Sequence, residues 1–146
     1  MNNLDSKEWQ ENTHKYTILI AEDEAINFLF LEILLKNKID LGCTILHAKN
    51  GAEAVEICKK NDTINLVLMD LKMPVMNGFK AVRLIKEFNP ELSIVAQTAF
   101  ASIEDKEKIF AAGFNDFISK PISKEALVDV INRQIEQKII NKNLNL

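Results

Sequence analysis

Five times along the chain, a short apolar run gives way to a stretch with helical apolar spacing. The runs at 16–21, 43–48, 64–69 and 92–97 are nearly continuous in Ile, Leu, Val and Ala, the pattern of strands covered on both faces. A fifth run at 114–119 is weaker. The stretch Ala25–Lys38 places Ile26, Leu29, Phe30, Ile33 and Leu34 at the spacing of one helix face. Phe28, Leu31 and Leu35 widen that face, so this helix is expected to be deeply buried. Asn50 and Glu53 form a start like a capping box for a second helix through about residue 60. Asn77 can cap a third, carrying Phe79, Val82, Leu84, Ile85 and Phe88, with Pro90 marking the loop beyond it. Ser102 and Asp105 can open a fourth that ends at Gly113. Ser123 can cap a fifth, with Leu127, Val130, Ile131 and Ile135 inward.

Short apolar strands alternating with amphipathic helices imply an α/β fold, a parallel sheet with helices on both sides. Right-handed crossovers leave few topologies. For five units the expected fold is a flavodoxin-like doubly wound five-stranded sheet of order 2-1-3-4-5 with five helices. Its ligand crevice lies at the carboxyl ends of strands 1 and 3. The domain is expected over 16–138, with 1–15 an extension or linker and 139–146 a fraying tail.

That strand order gathers reactive side chains at one edge. Glu22 and Asp23 follow the first run, Asp70 the third, Thr98 the fourth and Lys120 the fifth. Neighbouring strands lie about 4.8 Å apart, so Asp23 and Asp70 would end adjacent strands with Glu22 close by. Three carboxylates together repel, so either their pKa values rise or a cation joins them. Hard oxygen ligands with open positions suit Mg²⁺. Asp70 could then attack phosphorus as a carboxylate nucleophile, with Lys120 offsetting phosphoryl charge and Thr98 donating a hydrogen bond. Taken singly, each residue also has a plain structural use. A strand-end aspartate is often a turn residue, Glu22 and Asp23 could favour a helix dipole, and a lysine before proline is often solvated.

Composition narrows the class further. The net charge of −3 gives no electrostatic reason to expect direct nucleic-acid binding. The apolar stretch at 28–35 is interrupted by Glu32 and too short to span a bilayer, and the polar N-terminus is no signal peptide. Cys43 and Cys58 lack metal-ligand spacing and read as buried free thiols in a reducing cytoplasm.

As an ordered set, Glu22-Asp23, Asp70-Leu71-Lys72-Met73-Pro74 with Gly78, Thr98-Ala99 and Lys120-Pro121 resemble the receiver domain of two-component response regulators. The resemblance covers about 16–138. It implies that Asp70 is the phosphoacceptor, taking phosphate from a histidine kinase or a histidine phosphotransfer domain. It implies Mg²⁺ held by Asp23, Asp70 and the main-chain carbonyl of Lys72, with Glu22 acting through water. Thr98 and Lys120 would sense the phosphoryl group, Phe117 would be the aromatic switch, and the Lys120–Pro121 bond would be cis. Output would come from the face of the fourth helix, fifth strand and fifth helix, which could also pair two copies as a homodimer. No DNA-binding helix pair follows Lys138, so a larger protein of which this chain is a piece is the other source of output.

The chain departs from common receiver patterns at Phe117, which lacks the hydroxyl of the tyrosine often found there, and at Asn77, where many receivers have aspartate. Asn27 and the neighbouring Glu22-Asp23-Glu24 resemble receivers fused to hybrid sensor kinases. Lys72 and Phe100 flank the site and are expected to tune phosphate lifetime.

Three alternatives are weighed against a phosphorylatable receiver. A receiver-like interaction module that works without phosphate would normally have lost one of the key residues, and all are present. A haloacid dehalogenase-type phosphatase usually carries a second acid two residues after its nucleophile, where this chain has Lys72. A flavin-binding relative needs a phosphate-cradling loop after the first strand, where Glu22-Asp23-Glu24 would repel phosphate.

Overall fold

The computed structural model describes residues 16–38, 43–99 and 102–144. Five strands, β1 (Thr17–Ala21), β2 (Thr44–Ala48), β3 (Leu66–Asp70), β4 (Ser93–Thr98) and β5 (Asp116–Ser119), form one parallel sheet in the order β2-β1-β3-β4-β5. The helices are α1 (Ala25–Lys38), α2 (Gly51–Lys60), α3 (Gly78–Phe88), α4 (Ile103–Ala112) and α5 (Lys124–Leu144). The expected doubly wound architecture and strand order are therefore present. Strand ends differ by a residue or two from the reading above. Asp70 and Thr98 are the last residues of their strands rather than the first beyond them, which ties both to the sheet ladder.

Helix starts follow the cap chemistry. Asn50 accepts from Glu53 N–H, Asn77 from Lys80 N–H, and Ser123 Oγ from Ala126 N–H. Ser102 and Asp105 complete a reciprocal capping box, and Gly113 closes α4 in the left-handed region at φ 117°. The fifth helix runs on to Leu144, through the stretch expected to fray.

Two apolar layers cover the sheet. On one face Leu19, Val67, Met69, Ile94 and Ala96 pack under α2, α3 and α4. On the other, Ile18, Ile20, Leu66, Leu68 and Val95 pack under Leu31 and Leu35 of α1 and Leu127, Val130 and Ile131 of α5. One expectation is corrected here. Ile26, Leu29, Phe30 and Ile33 do not face the core but lie 81, 52, 48 and 47% exposed, while Phe28, Leu31, Leu34 and Leu35 make the contacts. Apolar residues surround α1 on nearly all sides, so spacing alone could not orient it. The Phe28 ring stacked 3.7 Å from the His47 ring fixes its rotation. Phe88, among the apolar residues expected on the third helix, is exposed at the end of α3.

The amino-terminal edge of the sheet is tied by two asparagines. Asn65 accepts from Thr17 N–H at 2.7 Å through Oδ1 and from Lys138 Nζ at 2.6 Å through its carbonyl. Asn115 Oδ1 accepts from Ile94 N–H at 2.9 Å and from Lys86 Nζ at 2.8 Å. Burial lowers the pKa of both lysines. Cys58 is buried and Cys43 half-buried, both as free thiols, and burial pushes the Cys58 thiol up to about 12.

Candidate functional site

At the opposite, carboxyl edge, the register places Glu22, Asp70 and Gln97 in one rank across three strands. Asp70 pairs with Gln97, and Glu22 follows Ala21, which pairs with Met69. All three side chains are buried. They fall on the α1/α5 face because they continue the alternation of Ile20, Leu68 and Val95. Glu22 is anchored from behind. Its N–H donates to Ala48 O at 2.9 Å, and its carbonyl is 2.8 Å from His47 Nε2.

Lys120 reaches back from the end of β5 and sets its Nζ 3.0 Å from Asp70 Oδ2 and 3.8 Å from Glu22 Oε2. The Lys120–Pro121 bond is cis. Lys72 N–H donates to Asp70 Oδ1 at 3.3 Å. Glu22 Oε1 accepts from Glu24 N–H at 3.2 Å and from the Asn27 amide at 3.5 Å. Burial, then the charge of Asp70, raises the Glu22 carboxyl above its usual range.

One oxygen each from Glu22, Asp23 and Asp70 falls within 4.8 Å of the others. Asp23 is exposed and faces a cleft of about 700 Å³ that Asp70, Lys72, Thr98 and Lys120 also line. Thr98 thus lines the same cleft as Asp70, and its side chain alternates with that of Gln97, which shares the face of Asp70. Phe117 is half-buried on β5, edge-on to Phe110 at 6.1 Å, with Lys106 Nζ 5.3 Å from its ring centre. Phe100 lies outside the described residues.

The loop after β3 approaches closely. A Cβ on Gly78 would collide with the Asp70 carbonyl oxygen, and one on Gly51 with that of Met76. Val75 adopts φ 68° where Met76 N–H turns back to Pro74 O at 2.7 Å, a tight turn that strains a β-branched residue.

The family model of the response regulator receiver domain matches residues 18–132. The chain belongs to this family. This receiver is 36% identical over 126 residues to hybrid signal transduction histidine kinase I of Dictyostelium discoideum, an alignment covering 81% of the chain and only 7% of that kinase. Among solved structures it resembles the receiver domain of a Pseudomonas aeruginosa PAO1 sensor histidine kinase with a magnesium ion coordinated in its active site cleft. That match has a TM-score of 0.74 and 30% identity over 83% of this chain and 98% of the other. It also resembles a co-crystal structure of the Saccharomyces cerevisiae histidine phosphotransfer protein Ypd1 with the receiver domain of Ssk1. There the TM-score is 0.69 and identity 35%, over 77% of this chain and 83% of the matched one. The fold and the phosphorelay receiver class expected from the sequence are therefore established.

Two contributions to the receiver's site were not foreseen. His47 anchors the Glu22 backbone from the neighbouring strand, a contact visible only once β1 and β2 are paired. Gln97 was legible as the one amide closing the run Ile94-Val95-Ala96, but its place beside Asp70 depends on register.

Proposed function

We propose that Asp70 accepts a phosphoryl group from a phosphohistidine. The single observation that carries this reading is the Lys120 ammonium at 3.0 Å from Asp70 Oδ2, at the rim of a three-carboxylate cluster in an open cleft. A carboxylate oxygen of Asp70 forms the new bond to phosphorus while the histidine nitrogen leaves. Lys120 then turns from the spent carboxylate to the phosphoryl oxygens, and Thr98 offers its hydroxyl from the same cleft.

The residues fit Mg²⁺. Three oxygens can converge on one ion, and Glu22 Oε2 is buried without a hydrogen bond among the described residues. Asp23, Asp70 and the Lys72 carbonyl would hold it, with Glu22 acting through a bound water. Such an ion neutralises charge on the transferring phosphoryl group.

The partner is a histidine kinase or histidine phosphotransfer domain. Its imidazole must enter the open cleft, and the exposed apolar face of α1, with Ile26, Leu29, Phe30 and Ile33, begins at the rim beside Asp23 and Glu24. We assign that face to the histidine-bearing phosphodonor. This agrees with the likeness to a receiver crystallised with its phosphotransfer protein. The switch and output face comprises Phe117 with the exposed Ile103 and Phe110 of α4.

Intact-mass measurement with a small phosphodonor and Mg²⁺ tests the chemistry. One phosphoryl group should add to the wild-type chain and none to Asp70→Asn. Equal uptake by both proteins would overturn the assignment.

A further inference from the structure

Behind the phosphoacceptor, between α1 and the segment joining β5 to α5, lies a second pocket of about 190 Å³, half open to solvent. Its lining includes Glu22, Gln97, Lys120, Asn27, Phe30 and Pro121. Glu22 and Gln97 are 0 and 1% exposed. Among the described residues, Glu22 Oε2 and Gln97 Nε2 are the buried side-chain polar atoms with no hydrogen-bond partner. One is an acceptor and the other a donor, and both border the same space.

Their strands are separated by β3, so their backbones stand about two strand spacings, roughly 10 Å, apart. Lys120 Nζ, at 3.8 Å from Oε2, is beyond hydrogen-bond reach. Buried polar groups are rarely left unsatisfied, and a polar space that offers at least two partners and exceeds about 15 Å³ takes up water. A pocket of about 190 Å³ has room for several.

We propose that this half-open pocket holds ordered water linking the buried Gln97 Nε2 to the buried Glu22 Oε2, and that through it Gln97 is a positioning residue for the Glu22 carboxylate. Oε1 of Glu22 is held by Glu24 N–H and Asn27, so the bridge supplies the restraint on the second oxygen. The effect on cation binding rests on the assignment of Glu22 to the Mg²⁺ site. Glu22 reaches the ion through water, so it is itself an outer-shell partner of the kind that governs affinity by about 10–100-fold, and Gln97 acts one step further out.

Calorimetric Mg²⁺ titration of the full chain reads the effect. Gln97→Met keeps the side-chain length and removes the donor. It should weaken Mg²⁺ about threefold, less than losing an outer-shell partner outright, without lowering the melting temperature of the metal-free protein. Gln97→Asn should recover most of the affinity, because a further water spans the shorter side chain. Wild-type affinity in Gln97→Met, or an Asn variant as weak as the Met variant, would overturn the bridge. If the wild type itself takes up no Mg²⁺, the metal assignment fails instead, and a high-resolution crystal structure then decides the bridge alone. Ordered water bonded to Gln97 Nε2 supports it. A dry pocket, or an amide bonded directly to protein, refutes it.

Discussion

The Lys120 ammonium lies 3.0 Å from Asp70 Oδ2, nearer to that carboxylate than to Glu22 Oε2 at 3.8 Å. One cation therefore contacts two buried acids, and Asp23 adds a third carboxylate to the cluster. Asp70→Asn should relieve repulsion and raise the metal-free midpoint of urea unfolding. A gain on the order of 1 kcal/mol is expected, a size that allows for the partial exposure of Lys120. An unchanged or lowered midpoint would show that the Lys120 ion pair outweighs the repulsion.

Mg²⁺ should stabilise the wild type by mass action, by about 2.7 kcal/mol at a hundred times its dissociation constant. A chelator should reverse the gain, and Asp23→Asn should shrink it. Thermal scans with Mg²⁺ and with added chelator check this, and overlapping scans would count against the acid cluster as a metal site.

Replacing exposed apolar residues on α1 separates docking from chemistry. Leu29→Glu with Ile33→Glu alters side chains that are about half exposed, so the melting temperature should fall only slightly. Phosphotransfer from a histidine phosphotransfer protein should slow at least tenfold, while labelling by a small phosphodonor should not. Equal slowing of both reactions would place the defect in the cleft instead.

Gly78→Ala should destabilise by roughly 2 kcal/mol or more, since the new methyl meets the Asp70 carbonyl oxygen and backbone must shift. It should also impair phosphorylation, because the shift moves Asp70. A variant with normal stability and normal labelling would contradict the close approach.

Tyr16 is the one tyrosine in the chain, and burial pushes its phenol up to about 12. Its folded pKa exceeds the unfolded value of about 10, so its contribution to stability is complete below pH 10. That contribution is lost as pH rises toward 12, on the order of 2 kcal/mol in all. Phenolate absorbance should appear near pH 12 in the folded protein, and Tyr16→Phe should flatten the alkaline fall in stability. Ionisation near pH 10 in the folded state would contradict the burial.

The strand order and the cluster at the carboxyl edge were legible because period and chain order determine both. Each strand-end residue is carried outward by its own apolar run, so Glu22, Asp70 and Lys120 needed only the topology to meet. The orientation of α1 was not legible. Ile26, Leu29, Phe30 and Ile33 are as apolar as Leu31 and Leu35, and the stacking of Phe28 on His47 joins parts of the chain whose proximity appears only after folding. The burial of Gln97 beside Asp70 was hidden for the same reason, since a one-residue change of register would turn it to the other face.

The asparagine ties at the amino-terminal edge have a consequence for the far end of the sheet. Like-charged acids, a strained Val75 and unsatisfied polar atoms amount to local frustration, which a fold tolerates only where its remaining interactions agree. Asn65 and Asn115 clasp the starts of β1 and β4, at the sheet edge opposite Asp70, so the molecule holds its shape at one edge and its reactivity at the other. The amides of Thr17 and Ile94, each bonded to an asparagine side chain, should exchange with solvent only when the whole domain unfolds. Those of the 71–78 loop should open far more often, leaving the reactive edge free to rearrange around a phosphoryl group while the sheet beneath it stays intact.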